Sequence, residues 1–149
     1  MRAVVQVVSQ AKVLVNNKIV DSIGKGLLVY WGAELGDGQS QLAYLAKKIP
    51  GLRIFEDDQG KMNRSLEDLH LPILVVSQFT LLGDTRKGKR PSFNQALAPE
   101  EGKRLYEDFL GMLNDQGIEV HQGVYQAMME IHSINLGPRT FLIDSEKKF

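Results

Sequence analysis

The opening third of the chain alternates apolar and polar residues with a period of two, and this constrains the fold more than any other feature. Val5, Val7, Val13, Val15, Ile19 and Ile23 fall in short β-branched runs, broken at Asn16-Asn17 and at Gly24-Lys25-Gly26. The pattern predicts a meander of hairpins. Leu27-Leu28-Val29-Tyr30-Trp31 is apolar without interruption, as in a strand buried on both faces. The period then changes. Leu42, Leu45, Ala46 and Ile49 recur at three- and four-residue steps after Ser40, a candidate cap, and Pro50-Gly51 closes the pattern as a helix.

Residues 52–55 read as a short strand. Residues 72–80 form the clearest strand in the chain, with Ile73, Leu74, Val75 and Val76 leading into Ser77-Gln78-Phe79-Thr80. A second helix starts near Pro99-Glu100-Glu101, its acidic residues at the positive end of the dipole, and carries Leu105, Phe109, Met112 and Leu113 on one side before Gly117. Three short strands are expected after it, around residues 118–121, 128–134 and 139–143. Many short strands with two main helices predict an α+β fold, a curved, barrel-like and mainly antiparallel sheet, in one domain over residues 1–149.

Composition removes several chemistries. The chain has no cysteine, which excludes disulfides, thiolate metal sites and a cysteine nucleophile. Met1-Arg2-Ala3-Val4-Val5-Gln6 lacks the apolar core and cleavage site of an export signal, and no stretch has the length to cross a bilayer, so a soluble cytoplasmic protein without membrane contact is expected. Lysine plus arginine balance aspartate plus glutamate at 18 each, so any nucleic-acid contact must rest on a local patch. Arg86, Lys87, Lys89 and Arg90, around Gly88 and just before Pro91, form such a patch on what reads as an exposed loop; a solvated basic loop is the plainer reading.

The usual catalytic constellations are missing. Glu56-Asp57-Asp58-Gln59-Gly60 lacks the alternating ligands and closing glutamate of a calcium loop. His70, His121 and His132 show no metal-binding spacing and read as structural. Neither a metal nor another cofactor is expected. Ser77 has no flanking glycines of a nucleophile elbow, and Gly24-Lys25-Gly26 is too short for a phosphate loop. Two motifs of hydrogen-bonding groups that ionise with difficulty remain: Ser77-Gln78-Phe79-Thr80, and Asn135-Leu136-Gly137-Pro138-Arg139-Thr140. Taken singly, each reads as a strand running into a polar loop or as an ordinary Gly-Pro turn.

Together with Leu52-Arg53-Ile54-Phe55, Gly60-Lys61-Met62-Asn63, the segment 75–81 and Arg90-Pro91-Ser92-Phe93, these motifs resemble the D-aminoacyl-tRNA deacylase family along nearly the whole chain. The resemblance implies hydrolysis of the ester that links a D-amino acid to the 3′-terminal adenosine of tRNA, and of glycine mischarged on the alanine tRNA. It implies a homodimer in which Gly137 and Pro138, joined by a cis bond, enter the partner's pocket beside Ser77, Gln78, Phe79 and Thr80. A backbone wall of that kind tests only the α-carbon, so it excludes an L side chain and admits glycine. The family is taken to use the RNA's own 2′-hydroxyl or a water, with backbone amides stabilising the oxyanion. The resemblance gives that amide role to Phe79 and Thr80. It has Ser77 and Gln78 orient the adenosine or the loop, and the Thr80 hydroxyl hold the geometry. Tyr125 and Met129 match pocket-lining positions, Asn135, Arg139 and Thr140 belong to the Gly-Pro signature, and the 86–90 loop faces acceptor-stem phosphates.

The chain departs from the family pattern at four positions. Val7 stands where an arginine usually braces the Gly-Pro tip, Arg139 stands where valine is usual, and Tyr125-Gln126 replaces phenylalanine and glycine. One expectation is that Arg139 fixes the tip from the opposite side, favouring a trans bond and loosening chirality toward L-aminoacyl substrates such as L-alanyl-tRNA. The bland alternative leaves Arg139 in solvent. Two other function classes stay open: a tRNA-end binding module without turnover, and a hydrolase of small D-amino acid esters.

Overall fold

The computed structural model of the chain describes residues 1–148. Strand β1 (Arg2–Val15) is its axis. Asn16 and Asn17, at φ 50° and 62°, make the left-handed turn that suits a two-residue hairpin. The chain then returns as β2 (Lys18–Ile23) and β3 (Gly26–Gly32), which pair antiparallel with successive stretches of β1 in one register, Ala11 opposite Ile23 and Val8 opposite Gly26. The expected meander is therefore one long hairpin, its returning arm broken at Gly24-Lys25, because β1 is long enough to pair with both segments.

After β3 come helix α1 (Gln39–Lys48), a small hairpin of β4 (Phe55–Glu56) and β5 (Met62–Arg64), and the short helix α2 (Leu66–Leu69) capped by Ser65. The short strand thus begins only at Phe55. Helix α1 starts one residue before Ser40: Gly38 is the cap, and the Gln41 side chain accepts its N–H at 3.1 Å. Strand β6 (Ile73–Ser77) lies parallel to β3, a 3-10 turn (Phe79–Leu82) follows it, and α3 (Pro99–Asp115) begins at the predicted proline. Strand β7 (Val120–Gln122) is parallel to β6. The other two late strands of the sequence reading are one, β8 (Glu130–Asp144), antiparallel to β1 over nearly its whole length.

The result is the expected α+β fold with a curved sheet, in which three antiparallel pairings are joined by two parallel ones. The continuously apolar strand is buried on both faces. Leu27, Val29 and Trp31 join Ile73 and Val75 in a core under α1 and α3, while Leu28, Leu74 and Val76 meet Val8, Ala11 and Val13 on the concave side. His121 on β7 bonds Asp21 on β2 at 2.6 Å, which draws the two ends of the sheet together. Burial alone would lower the His121 pKa, but hydrogen bonds from both ring nitrogens to Asp21 and Glu119 raise it above the usual histidine range. No helix among the described residues is long and apolar enough to cross a membrane.

Candidate active site

Ser77 ends β6 opposite Trp31, and the Gln78 N–H donates to the Trp31 carbonyl at 2.6 Å, carrying the pairing one residue past the strand. The backbone then tightens into the 3-10 turn. Its first internal bond runs from the Leu81 N–H to the Gln78 carbonyl at 3.2 Å. The Phe79 and Thr80 N–H groups precede that bond and have no partner within the turn, as at any helix start. The Gln78 amide donates to the Thr80 hydroxyl, so these two side chains hold each other. Phe79 is 58% exposed.

This turn lies close to β3 because position 32 is glycine. A Cβ there would come within 2.7 Å of both the Gln78 carbonyl and Leu82 Cδ2. Beneath the turn a small cavity of about 20 Å³ is lined by Trp31, Ser77, Gln78, Phe79, Gly102 and Tyr125, among others. Tyr125 reaches it by lying on α3 at Gly102, where a Cβ would stand 2.5 Å from its hydroxyl, and its ring packs 5.6 Å from Tyr106. Gln126, in the place of the usual glycine, has φ 62°, a conformation that disfavours side chains with a Cβ. Met129 lies elsewhere, packed against the concave core with its sulfur beside Gly123.

The second motif is a bulge in the β1–β8 ladder. Gln6 faces Thr140 and Val8 faces Asn135, so four residues, 136 to 139, stand against Val7 alone. The side chain of Asn135 closes the base of this loop, donating to the Val7 carbonyl at 2.9 Å and to the Arg139 carbonyl at 3.5 Å. Thr140 Oγ1 donates to Asn135 Oδ1 at 3.4 Å and accepts from Gln6 at 3.3 Å. Asn135 and Thr140, read as substrate-binding from the sequence, thus build the loop. Gly137 and Pro138 form its exposed tip, and the bond between them is cis.

Arg139 does not turn that bond trans, nor does it face solvent. Its side chain is only 14% exposed and pairs with Glu56 on β4. Val7 is fully buried in the core, so the guanidinium near the tip comes from the bulge itself and not from β1.

In one chain the two motifs are apart. The tip lies level with Val7 and Ser77 level with Ala3, four residues along and three strands across, roughly 20 Å measured over the sheet.

The chain matches the model of the D-Tyr-tRNA(Tyr) deacylase family over residues 4–144. It is 52% identical over 149 residues to a D-aminoacyl-tRNA deacylase of Thermotoga petrophila and 53% identical over 149 residues to one of Syntrophotalea carbinolica, each alignment covering 100% of both chains. The chain belongs to this family. Among solved structures, one described as a c-Myc DNA Unwinding Element Binding Protein has TM-score 0.91 at 37% identity, covering 97% of this chain and 98% of that one. Another, described as a probable eukaryotic D-amino acid tRNA deacylase, has TM-score 0.80 at 22% identity, covering 95% and 97%, and supports the fold alone.

The basic loop of this deacylase-family chain adjoins the turn. Paired backbone bonds between Asp84 and Ser92, at 2.7 and 2.9 Å, close it, and Phe93 at its base packs edge-on against Phe79 at 5.1 Å. Arg86 is engaged by Asp84 through two side-chain bonds of 2.8 Å, which hold the Asp84 carboxyl far below the usual carboxylate range. Lys87, Lys89 and Arg90 are exposed beside it. Sequence reading missed Gly32 and Glu56, whose contacts depend on distant partners; only Gly32, closing an apolar run, had a local signal.

Proposed function

We propose that this aminoacyl-tRNA deacylase acts in the cytoplasm as a homodimer, and that the Gly137-Pro138 tip of each subunit closes the partner's 77–80 site. The observation that carries the reading is the separation of the two motifs within one chain, set beside the exposure of the tip. Strand β8 offers a surface for such pairing. It pairs only with β1 among the described strands, and it exposes Ile134 and Leu142 at 51% and 63%, as an edge awaiting another chain would.

The substrate is the ester of a D-amino acid on the 3′-terminal adenosine of tRNA. Its carbonyl oxygen sits against the Phe79 and Thr80 N–H groups, which need no reorganisation to stabilise the negative charge that develops there. A water, oriented by the neighbouring 2′-hydroxyl of the RNA, bonds to the carbonyl carbon. The ester C–O bond breaks, the 3′ oxygen takes the proton that the water gives up and leaves as a ribose hydroxyl, and the amino acid leaves with the water's oxygen as its carboxylic acid. Ionisable side chains are absent from the motif because an activated ester next to a ribose hydroxyl needs positioning more than base strength. The partner's tip supplies carbonyls for the α-amino group and blocks an L side chain, whereas glycine, including glycine on the alanine tRNA, passes. Lys87, Lys89 and Arg90 hold acceptor-stem phosphates, with affinity that falls as salt rises.

Subunit mixing tests this directly. A tip-impaired Asn135→Ala chain and a turn-impaired Gly32→Ala chain, each nearly inactive alone, should regain about a quarter of wild-type activity when refolded together, since half of the dimers carry one intact pairing. Activity no greater than the sum of the parents would show that tip and turn do not cooperate between chains.

A further inference from the structure

We propose that Arg2 is a positioning residue for the reaction, gripping the C-terminal end of the 3-10 turn and thereby fixing the Phe79 and Thr80 amides at its other end. This rests on the reading above that those amides face the reacting carbonyl. Arg2 is the first residue of β1, and its guanidinium joins three segments distant in sequence. Nε donates to Asp144 Oδ2 at 3.1 Å, at the end of β8. Nη1 donates to the Leu81 carbonyl at 3.1 Å, inside the turn. Nη2 lies 3.9 Å from Glu34, beyond β3.

The partners are themselves fixed. The Asp144 side chain is fully buried, and its second oxygen accepts the Glu146 N–H at 2.7 Å. Burial by itself would raise the Asp144 pKa, but that N–H, Arg2 and nearby positive charge lower it, so the carboxylate is ionised at neutral pH. Glu34 is held in turn by Lys148 at 2.9 Å. The guanidinium thus has a rigid seat on two strand ends and extends one N–H to the turn.

A four-residue 3-10 turn has poor internal geometry and little cooperativity, so outside contacts decide how well it is ordered. At its start, Gly32 lets the turn lie on β3. At its end, Arg2 binds the Leu81 carbonyl, and Gly83 bonds Thr80 at 3.0 Å. A cation on the last carbonyls also aligns with the dipole of the turn and strengthens the donors at its start. Lysine would keep the charge but lose the planar fork that reaches Asp144 and Leu81 together.

The test uses Arg2→Met, Arg2→Lys and, as a milder disturbance, Asp144→Asn in the full chain. Hydrogen exchange of the bonded amides in residues 81–83 is read beside kcat and KM on D-aminoacyl-tRNA and the melting temperature. The expected result is faster exchange at Leu81 and Gly83, whose N–H groups bond within the turn, and a kcat reduced about tenfold, the effect of one charge-assisted hydrogen bond. KM should stay within about twofold, and lysine should not rescue, because only the fork reaches both partners. Unchanged exchange in all three variants would overturn the grip while leaving the site reading intact. Faster exchange with unchanged kcat would instead show that the turn's amides do not face the reaction, which removes the role of Arg2 along with that reading.

Discussion

The turn at residues 79–82 and the bulge at 136–139 are both short stretches of irregular backbone, yet they are held in opposite ways. The turn is an extension of β6, a strand buried on both faces, and it is pressed onto β3 through a glycine and anchored by Arg2. The bulge leaves a strand paired on one edge and is held from inside, by the Asn135 amide and the Thr140 hydroxyl, with Arg139 tied sideways to Glu56. The first arrangement suits donors that must not move during a reaction. The second suits a wall presented to another molecule.

The sharpest way to break this contrast is Gly32→Ala. The added methyl would stand 2.7 Å from the Gln78 carbonyl and displace the turn, so kcat should fall by about 100- to 1000-fold, the usual effect of losing an oxyanion donor. The preference for D- over L-aminoacyl-tRNA should survive. Equal loss of discrimination, measured on both substrates, would mean that turn and tip are not separate devices.

Asn135→Ala attacks the other region. With the loop base open, the tip shifts by an ångström or more, and kcat/KM on D-aminoacyl-tRNA should drop about 100-fold, this time with the D-to-L ratio shrinking. A retained ratio would assign discrimination to some part of the molecule other than the tip.

Arg139→Val and Glu56→Gln should act more gently. Removing an ion pair of this exposure is worth about 1 kcal/mol, or roughly a fivefold change, expected in the D-to-L ratio and in the glycyl-tRNA rate while kcat on D-substrates stays near wild type. Strict and identical selectivity in both variants and the parent would make the pair a surface contact only.

A control touches neither region. The His121 contribution to stability is complete below the ordinary histidine pKa and is lost as pH rises through its raised value; Asp21, lowered in the fold despite the opposing effect of burial, contributes above the ordinary aspartate pKa and loses that as pH falls through its lowered value. The seam between β2 and β7 is therefore strongest between those limits. His121→Gln should flatten the fall in melting temperature between pH 6 and 8.5, by an amount corresponding to no more than about 1 kcal/mol, and leave discrimination unchanged. A discrimination that moved with it would tie the seam to the tip.

Much of this was legible in the chain itself. The doubly buried strand, the proline that opens α3 and the two polar motifs are written in local patterns, since burial on two faces needs an unbroken apolar run and the unpaired N–H groups of a helix's first turn make room for proline. What could not be read was pairing. Nothing in residues 18–32 says that both segments share β1, and nothing near Asn135 reveals that its amide replaces a ladder bond, because those contacts join residues up to 128 positions apart. The three late strands became two for the same reason: a bulge and a loop look alike until the partner strand is known. Arg139 shows the limit most clearly, since its partner, Glu56, is 83 positions away.

The Asn135 clamp has one more implication. By satisfying the main chain of β1 from a side chain, it relieves the four residues outside the ladder of pairing with that strand, and of these only Leu136 packs against the core. Position 139 can thus exchange a valine for an arginine without loosening the scaffold. If the protrusion discriminates as proposed, a lineage could thus retune what it tells its substrate apart by, one residue at a time, while the barrel behind it stays as it was.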